Sequence, residues 1–316
     1  MPSNITVNEK KSMGRTVEKL SFAVTVICAL LLVIKYPDVI RNSAYSGLIL
    51  CAKTIVPTLF PFMILSDLLL ALSPNTGTGF FSKACEKLFG IGAACTVAIV
   101  CGMICGFPIG AICTKALYDS GAIDKKDAES LLATATVPSF AFVISGIGEG
   151  MLGSVKLGIY LWLSCILAAI TVGILFRGRE KKIPIVRKMK KEPFKITASI
   201  KKSGACAVGI SSFIIFFSVI IGVLNELIRN EYVITALSAI LEISNASNAV
   251  ILSVAIPFYA KIPILGFALG FSGLSVMMQV MGVVSDSGIG CKTYLLRKAV
   301  QGVICSMLAT LLILIF

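Results

Sequence analysis

Polar residues are rare in the apolar parts of this sequence, and their types suit solute binding. Glu242, Asn245 and Asn248 fall within two helical turns of one another in LEISNASN, between long apolar stretches. A charge in hydrocarbon costs about 3 kcal/mol on insertion scales, so such a carboxylate needs a partner or a polar cavity. We interpret Glu242 as a functional carboxylate; the alternative is that it caps a helix end or reaches the membrane interface.

Two more polar side chains follow glycine-containing stretches. Lys115 comes one to two turns after Gly110 and could either hold an anion or extend to the interface. Gln279 follows GFSGLS, and its amide both donates and accepts hydrogen bonds. Together these side chains predict a binding site for an anionic small molecule.

The residues needed for most enzymatic chemistry are missing. The sequence contains no histidine, no G-x-S-x-G elbow and no glycine loop that ends in Lys-Ser/Thr. Its eleven cysteines form no CxxC pair and no zinc-ligand spacing. We therefore predict a protein that is not an enzyme, with no cofactor, metal or disulfide framework.

Composition places the chain in a lipid bilayer. Hydrophobic residues make up 57% of the 316 and charged residues only 14%, against roughly a quarter in a soluble domain. The net charge of +13 is concentrated between residues 177 and 202. This stretch contains eleven Lys and Arg residues but only two acidic residues, Glu180 and Glu192. A basic loop between apolar spans is typical of the cytoplasmic side, so nucleic-acid binding is not expected.

Nine apolar segments are long enough to enter a bilayer. The first follows Lys10, Lys11, Arg15 and Lys19 without a cleavage site, which indicates a retained helix with its N-terminus inside. If the N-terminus and the basic loop are both cytoplasmic, the five segments between them cannot all cross. The nine segments are 20–36, 45–72, 91–117, 131–150, 155–176, 204–227, 232–260, 262–284 and 294–316.

Segment 91–117 is the best candidate for the one that does not cross the bilayer completely. Gly102, Gly106 and Gly110 recur every four residues around Pro108. Proline removes a backbone donor and glycine permits a sharp turn, so we predict a re-entrant hairpin. The alternative is a continuous helix whose glycines admit a neighbouring helix.

The second half carries a similar stretch. CGFPIGAICTKALYDSG and LGFSGLSVMMQVMGVVSDSG share a Gly-Phe pair, a further glycine and a closing Asp-Ser-Gly. Segment 232–260 is too long for one span and has a polar centre, which indicates a broken helix. Duplicated halves with interrupted helices are typical of secondary transporters.

These patterns predict an all-α polytopic membrane protein of two repeats with re-entrant helical hairpins and broken helices. Lys292, Arg297 and Lys298 leave the orientation of the second half open. The predicted parts are a cytoplasmic N-terminal segment at 1–19; a first transmembrane half at 20–176 with a hairpin near 91–118; a basic cytoplasmic loop at 177–202; and a second transmembrane half at 203–316 with a broken helix near 241–248 and a hairpin near 262–284.

A family resemblance follows from four motifs in order. TIVPTLFPFMILSDLL, GFPIGA, LEISN and GFSGLSVMMQ resemble the YlbJ-type sporulation integral membrane proteins, which carry nucleoside-recognition (Gate) domains. The resemblance implies an architecture like that of concentrative nucleoside transporters, a place in the outer forespore membrane of an endospore-forming bacterium, and transport of dipicolinic acid. One departure is TATVPS at 134–139, where the family leads us to expect an Asn-rich unwound motif.

The expected function is therefore secondary transport of a small aromatic carboxylate without ATP hydrolysis. One alternative is a nucleoside or metabolite transporter coupled to Na⁺ or H⁺ through Glu242, and another is a non-transporting scaffold for spore envelope assembly that docks through the basic loop. The candidate substrate-binding residues, from the resemblance and from the polar residues above, are Gly106, Pro108, Gly110, Lys115, Glu242, Asn245, Ser272, Gly273, Ser275 and Gln279.

Overall fold

The computed structural model describes residues 20–21, 23–72, 80–90, 95–177 and 195–315. Every regular element in those ranges is helical, and they contain no strand. The predicted N-terminal segment 1–19 and residues 178–194 of the predicted basic loop lie outside them. Five helical stretches in the described part are long and apolar enough to cross a bilayer: Pro37–Leu65, Val155–Leu175, Ile196–Ile228, Phe258–Val283 and Cys291–Ile315. The predicted all-helical, polytopic class is confirmed.

The first long span follows a short apolar helix. Helix α1 (Ala23–Lys35) gives way to α2 (Pro37–Leu50) because proline lacks the amide hydrogen that a continuing helix would use. A π-helical turn (Cys51–Ile55) then joins α2 to α3 (Val56–Leu72). At 1.5 Å per residue the resulting span exceeds the thickness of the hydrocarbon core.

Two short helices follow the amphipathic α4 (Phe80–Phe89) and fold back on each other. These are α5 (Cys95–Cys105) and α6 (Phe107–Asp119), and neither is long enough to cross a core of about 30 Å. A Cβ built on Gly110 would lie 3.2 Å from the Cα of Gly102, although residues eight apart in a straight helix are separated by about 12 Å. The chain therefore turns back between them, at Gly106.

The next span is interrupted. Helix α7 (Lys125–Ala135) begins at Asp124, whose side chain caps the Asp127 amide at 2.9 Å. It ends before residues 136–139, which are not helical, and a π-helix (Ala141–Glu149) continues the span. The interruption coincides with TATVPS, where the family resemblance calls for an unwound segment. Helix α8 (Val155–Leu175) then completes the first half.

The second half begins inside the predicted basic loop. Helix α9 (Ile196–Ile228) starts well before residue 202, so that boundary was wrong. Its first turns carry exposed Lys201 and Lys202, which a helix end near the interface tolerates. The helices after α9 are α10 (Glu231–Leu241), α11 (Ile243–Leu252), α12 (Phe258–Phe271), α13 (Gly273–Val283) and α14 (Cys291–Ile315).

Helices α10 and α11 form a second hairpin where the sequence predicted a broken helix near 241–248. Ser253, just after α11, donates a hydrogen bond to the carboxylate of Glu231 at the start of α10. In a straight helix residues so far apart would be about 33 Å distant. Glu242 forms the tip, in an extended conformation with φ −153° and ψ 124°.

The predicted hairpin near 262–284 is instead an interrupted span, and this prediction was wrong in form. Ser272 breaks it in the left-handed region, with φ 73°. The two parts then pack against different neighbours, α12 against α14 and α8, and α13 against α6 and α9. Side chains on both parts find buried partners in this way, which a hairpin of α12 on α13 would not provide. In the second half, the hairpin therefore lies where the sequence predicted a broken helix, and the interrupted span lies where the sequence predicted a hairpin.

The start of α14 lies at the same end of the molecule as the predicted basic loop. The Arg297 guanidinium lies over the ring of Phe176, 5.3 Å from its centroid, and Phe176 directly precedes that loop. The Gly290 amide donates to Glu129 Oε1 at 3.1 Å, which ties the same end to α7. The basic residues of α14 and of the loop therefore share one side.

At that same end α3 and α9 are joined through Asp67. Its carboxylate accepts hydrogen bonds from Ser199 Oγ at 2.7 Å and from Lys202 Nζ. Burial raises the pKa of Asp67, but the hydrogen bonds from Lys202 and Ser199 outweigh it, and the net pKa lies below the usual value. Asp67 therefore lies at the end of its span, beside the charged first turns of α9.

Candidate solute-binding site

Four interruptions of the helices meet in pairs near the centre of the molecule. The tip of the first hairpin, Gly106 with φ 91°, packs on the 136–139 interruption so closely that a Cβ there would lie 2.8 Å from Ser139 Cβ. The tip of the second hairpin packs on the α12–α13 interruption in the same way. A Cβ on Gly273 would lie 3.1 Å from the carbonyl oxygen of Leu241. Each hairpin tip is therefore seated against one broken span.

The glycines of the first hairpin make room for the end of α7. A Cβ on Gly102 would lie 1.8 Å from the Ala135 carbonyl oxygen, and one on Gly110 would lie 1.9 Å from it. The last turn of a helix leaves carbonyl groups without intrahelical partners. Here one of them is inserted between the two glycines. The glycines that recur every four residues thus allow the backbone of the hairpin to contact the backbone at the end of α7.

Glu242 caps the helix that follows the second tip. Its side chain accepts the amides of Ser244 at 3.0 Å and Asn245 at 2.6 Å. The Asn245 side chain donates to the same carboxylate at 2.8 Å and accepts from Ser218 Oγ at 3.0 Å. Glu242 is only 1% exposed, so these contacts replace its hydration. The capping and the functional interpretations of this residue are compatible.

The two hairpins differ at their helix N-termini. Helix α11 has its first amides satisfied by Glu242, whereas α6 has no side-chain cap at Gly106. Pro108 lies in the first turn of α6 and brings no amide hydrogen. Free amides at a helix N-terminus, with the helix dipole, favour a negative charge. The α6 terminus is therefore the more suitable position for an anionic group.

A central cavity of about 50 Å³ lies between the two tips. A water-sized molecule needs about 10–15 Å³ of such space, so only a few would fit. The polar groups around it come from the tips, from the 136–139 interruption and from α13, and the rest of its wall is apolar. It is lined by Ile55, Leu59, Met63, Cys105, Gly106, Phe107, Ile109, Ser139, Phe142, Ile210, Ile214, Glu242, Ile243, Ser244, Val276 and Gln279.

A larger polar vestibule of about 710 Å³ lies on the other side of Asn245. It is formed by α2, the C-terminal part of α9, α10 and α11, at the end of α9 away from the basic loop. Eight of its fifteen lining residues carry a hydroxyl or amide group, and three are charged. Its lining residues are Asn42, Ser43, Ser46, Ser218, Ile221, Gly222, Asn225, Glu226, Arg229, Glu231, Ile234, Thr235, Ser238, Asn245 and Ala249.

The structure brings only some of the predicted site residues to the cavity. Gly106, Glu242 and Gln279 line the central cavity, while Asn245 faces the vestibule and bonds to Glu242. Lys115 forms an ion pair with Asp119 at 3.0 Å and lines neither space. This geometry favours the interfacial interpretation of Lys115.

The remaining predicted residues shape the surroundings. Pro108 and Gly110 belong to the first hairpin, and Ser272 and Gly273 form the α12–α13 interruption. Ser275 is buried and accepts a hydrogen bond from Gln279 Nε2 at 3.4 Å. These residues position the cavity but do not line it.

Sequence reasoning missed several cavity residues. Ser139 lies directly after Pro138, and its hydroxyl accepts the Phe142 amide at 3.2 Å. Phe107 and Phe142 supply two aromatic rings beside the polar tips. A usable signal was present, because the residue before a proline tends to leave the helical conformation. The aromatic residues had no signal that separates them from other apolar positions.

The long apolar helices and the two hairpins define an integral membrane protein of the all-helical, polytopic class. The chain is similar to the sporulation integral membrane protein YlbJ of Bacillus subtilis (strain 168), at 26% identity over 89% of this chain and 79% of that protein. This similarity confirms the resemblance to YlbJ-type proteins predicted from the motifs. No family model matches the chain, and no solved structure matches it.

Proposed function

We propose that this protein is a secondary carrier that moves a small aromatic carboxylate through the bilayer without ATP hydrolysis. The observation that carries the proposal is the meeting of two hairpin tips and two interrupted spans around one cavity. Interrupted backbone is tolerated at membrane depth where it is buried in protein or lines a cavity. Carriers use such interruptions to contact their solutes near the membrane midplane.

We infer that the two halves are related as inverted repeats. Each half has a long span, a short hairpin, an interrupted helical stretch and a final long span. The interrupted stretch of the first half, 125–149, is not among the five spans described above, and we infer that it is a sixth crossing. Because the hairpins return to their starting side, each such unit contains three crossings, and an odd number inverts the second unit. Inverted repeats that meet at interrupted helices are a common plan of secondary transporters.

The cavity chemistry supports an aromatic carboxylate as the solute. The uncapped N-terminus of α6 offers amides to a carboxylate, and Phe107 and Phe142 offer rings for stacking. Gln279 and Ser139 supply neutral hydrogen-bonding groups. Glu242 already carries its own capping contacts, so it disfavours a second anion beside it and directs the solute carboxylate to α6.

We propose dipicolinic acid as that solute, carried across the outer forespore membrane during sporulation. The support is the resemblance to YlbJ-type proteins, together with the word sporulation in the name of the Bacillus subtilis relative. The vestibule lies at the end away from the basic loop. If that loop is cytoplasmic, the vestibule faces the space between the two forespore membranes.

A central cavity of about 50 Å³ is smaller than a ring-sized solute needs, so the proposed carrier must widen it during transport. Asn245 lines the vestibule and bonds to Glu242 in the cavity wall. It is joined to α9 by the hydrogen bond from Ser218 Oγ at 3.0 Å and by its own amide donating to the Ile214 carbonyl at 3.4 Å, and in the proposed carrier these contacts open. This places the moving element at the second hairpin. Opening of that hairpin would connect Glu242 and the cavity to the larger polar space.

The test is uptake of labelled dipicolinate by liposomes that contain the purified full chain, under an imposed ion gradient. We expect Gln279→Leu to reduce uptake about fivefold or more, since one solute hydrogen bond is worth about 1 kcal/mol or more. Asn248→Leu is the matched control, because that amide is exposed on α11 and should leave uptake unchanged.

Three other outcomes would redirect the proposal. Uptake of a nucleoside in place of dipicolinate would keep the carrier and replace the solute. Loss of uptake when Na⁺ or the proton gradient is removed, together with loss in Glu242→Gln, would support an ion-coupled carrier. If liposomes move no solute while neutralising the basic loop abolishes sporulation, the scaffold alternative is correct.

A further inference from the structure

The amine of Lys298, a residue of α14, is buried against the C-terminal end of α7. Only 1% of the residue is exposed, although it lies within an apolar helix that can span the bilayer. Its ammonium donates to the Thr136 carbonyl oxygen at 2.6 Å and to Gln301 Oε1 at 3.1 Å. Within the part of the chain that the structure describes, no carboxylate lies within 4 Å of it. An ammonium held only by neutral oxygens is unusual in such a place.

The Thr136 carbonyl is available because α7 stops at Ala135. The other groups of this turn already have partners. Thr136 Oγ1 donates to the Leu132 carbonyl at 2.7 Å, and the Tyr294 hydroxyl is 3.0 Å from the same Oγ1. The Ala135 carbonyl is enclosed by the hairpin glycines. Lys298 therefore satisfies the Thr136 carbonyl, which the end of α7 leaves without a helical partner.

The electrostatics of this position favour a cation. The C-terminal end of a helix carries partial negative charge from its free carbonyl groups. Carriers with interrupted helices bind a coupling cation at such ends, through unwound carbonyl oxygens. Here the two oxygens on the ammonium are the Thr136 carbonyl and Gln301 Oε1, neutral oxygens of the kind that an alkali cation accepts. The Tyr294 hydroxyl lies beside them, 3.0 Å from Thr136 Oγ1.

We propose that the Lys298 ammonium is a built-in cation that takes the place of a bound alkali ion at the end of α7. The side chain is tethered to α14, so the charge stays in the protein and no sodium ion is required to stabilise this interruption. The carrier function proposed above would then not use sodium at this position. The inference depends on the geometry of the interruption and not on the identity of the solute.

A polar stripe on α14 supports this assignment. Tyr294, Lys298 and Gln301 are spaced i, i+4 and i+7, so they lie on one face of the helix. All three are nearly fully buried. Tyr294 and Lys298 contact the interruption at Thr136, and Gln301 accepts a hydrogen bond from Lys298, so the three side chains form one connected polar group beside the interruption.

The experiment compares thermal unfolding of the purified full chain in sodium chloride and in choline chloride at equal ionic strength. Lys298→Ala vacates the position, and Lys298→Met fills it without a charge. We expect the wild type to unfold at the same temperature in both salts. Lys298→Ala should unfold several degrees lower in choline and recover by about 3 °C or more in sodium, because sodium can then bind the vacated oxygens. Lys298→Met should be destabilised without recovery.

Binding of radioactive sodium gives a second readout. Lys298→Ala should retain the ion, whereas the wild type and Lys298→Met should not. A sodium response of Lys298→Ala no larger than that of the other two proteins would overturn the inference, as would a variant that folds in neither salt. Neither measurement includes a transport step, so failure here leaves the proposed carrier function standing.

Discussion

Glu242 shows how one side chain can have a structural and a functional position at once. It is the tip of the second hairpin, the cap of α11 and part of the cavity wall. Its bond to Asn245 extends the contact to Ser218, so a change at the tip is transmitted to α9. The carboxylate is thus placed where solute binding and hairpin movement would meet.

Replacing Glu242 by glutamine should destabilise the protein by about 1–2 kcal/mol. Glutamine replaces one carboxylate oxygen with an NH2 group, which would face the Ser244 amide or the Asn245 donors and cannot accept from them, so at least one hydrogen bond is lost. The measurement is the thermal unfolding temperature of the purified protein in detergent.

Glu149→Gln is the control for that change, because Glu149 is exposed at the end of the π-helix and should tolerate it. An equal unfolding temperature for Glu242→Gln and wild type would mean that the cap does not depend on the charge of Glu242.

At the level of elements, the unit that organises the first half is a hairpin clamped on the end of α7. The contact is between main chains, so it depends on the missing Cβ atoms of the glycines rather than on side-chain packing. The second half reaches an equivalent contact with one glycine, Gly273, against the Leu241 carbonyl. In each pair, the glycines at the contact are therefore needed both for the hairpin and for the interruption that packs on it.

Alanine at Gly102 or at Gly110 should destabilise the fold by about 1–3 kcal/mol. In each case the new methyl group would overlap the Ala135 carbonyl oxygen, and the backbone would have to move. The unfolding temperature in detergent is the measurement.

Gly209→Ala provides the matched control within α9. A Cβ there meets no atom within 4 Å, and alanine is the better helix former, so stability should stay the same or rise slightly. Equal effects of all three substitutions would contradict the clamped arrangement.

For the molecule as a whole, the arrangement of spans decides which ends share a side. α9, the interrupted span α12–α13 and α14 each cross once, while the α10–α11 hairpin returns. Three crossings separate the basic loop from the end of α14. If the loop is cytoplasmic, as its Lys and Arg residues lead us to expect, that end lies outside.

Reporter fusions test this orientation. A fluorescent protein inserted in the loop after Lys188 should fluoresce, and alkaline phosphatase fused after Phe316 should be active. The same phosphatase in the loop should be inactive, which controls for expression. Activity of the phosphatase at both positions would show that the second half crosses an even number of times.

The sequence by itself determined the environment and the local breaks of this protein. Its apolar composition required a bilayer, the absence of histidine removed most catalytic constellations, and Gly106 with Pro108 marked a place where a helix must stop. Such properties are local, because chain stiffness and transfer into lipid depend on nearby residues alone.

The tertiary structure decided which breaks are hairpins and which are interrupted spans. In the second half the glycines lie at the interrupted span, at Gly270 and Gly273, while the hairpin tip at Glu242 has neither glycine nor proline, so the sequence exchanged the two. Whether a chain turns back or continues depends on what each arm packs against, as α13 does on α6. The partner of Lys298 was hidden for the same reason: a lysine in sequence looks like a topology signal, and only long-range packing places its ammonium on the Thr136 carbonyl.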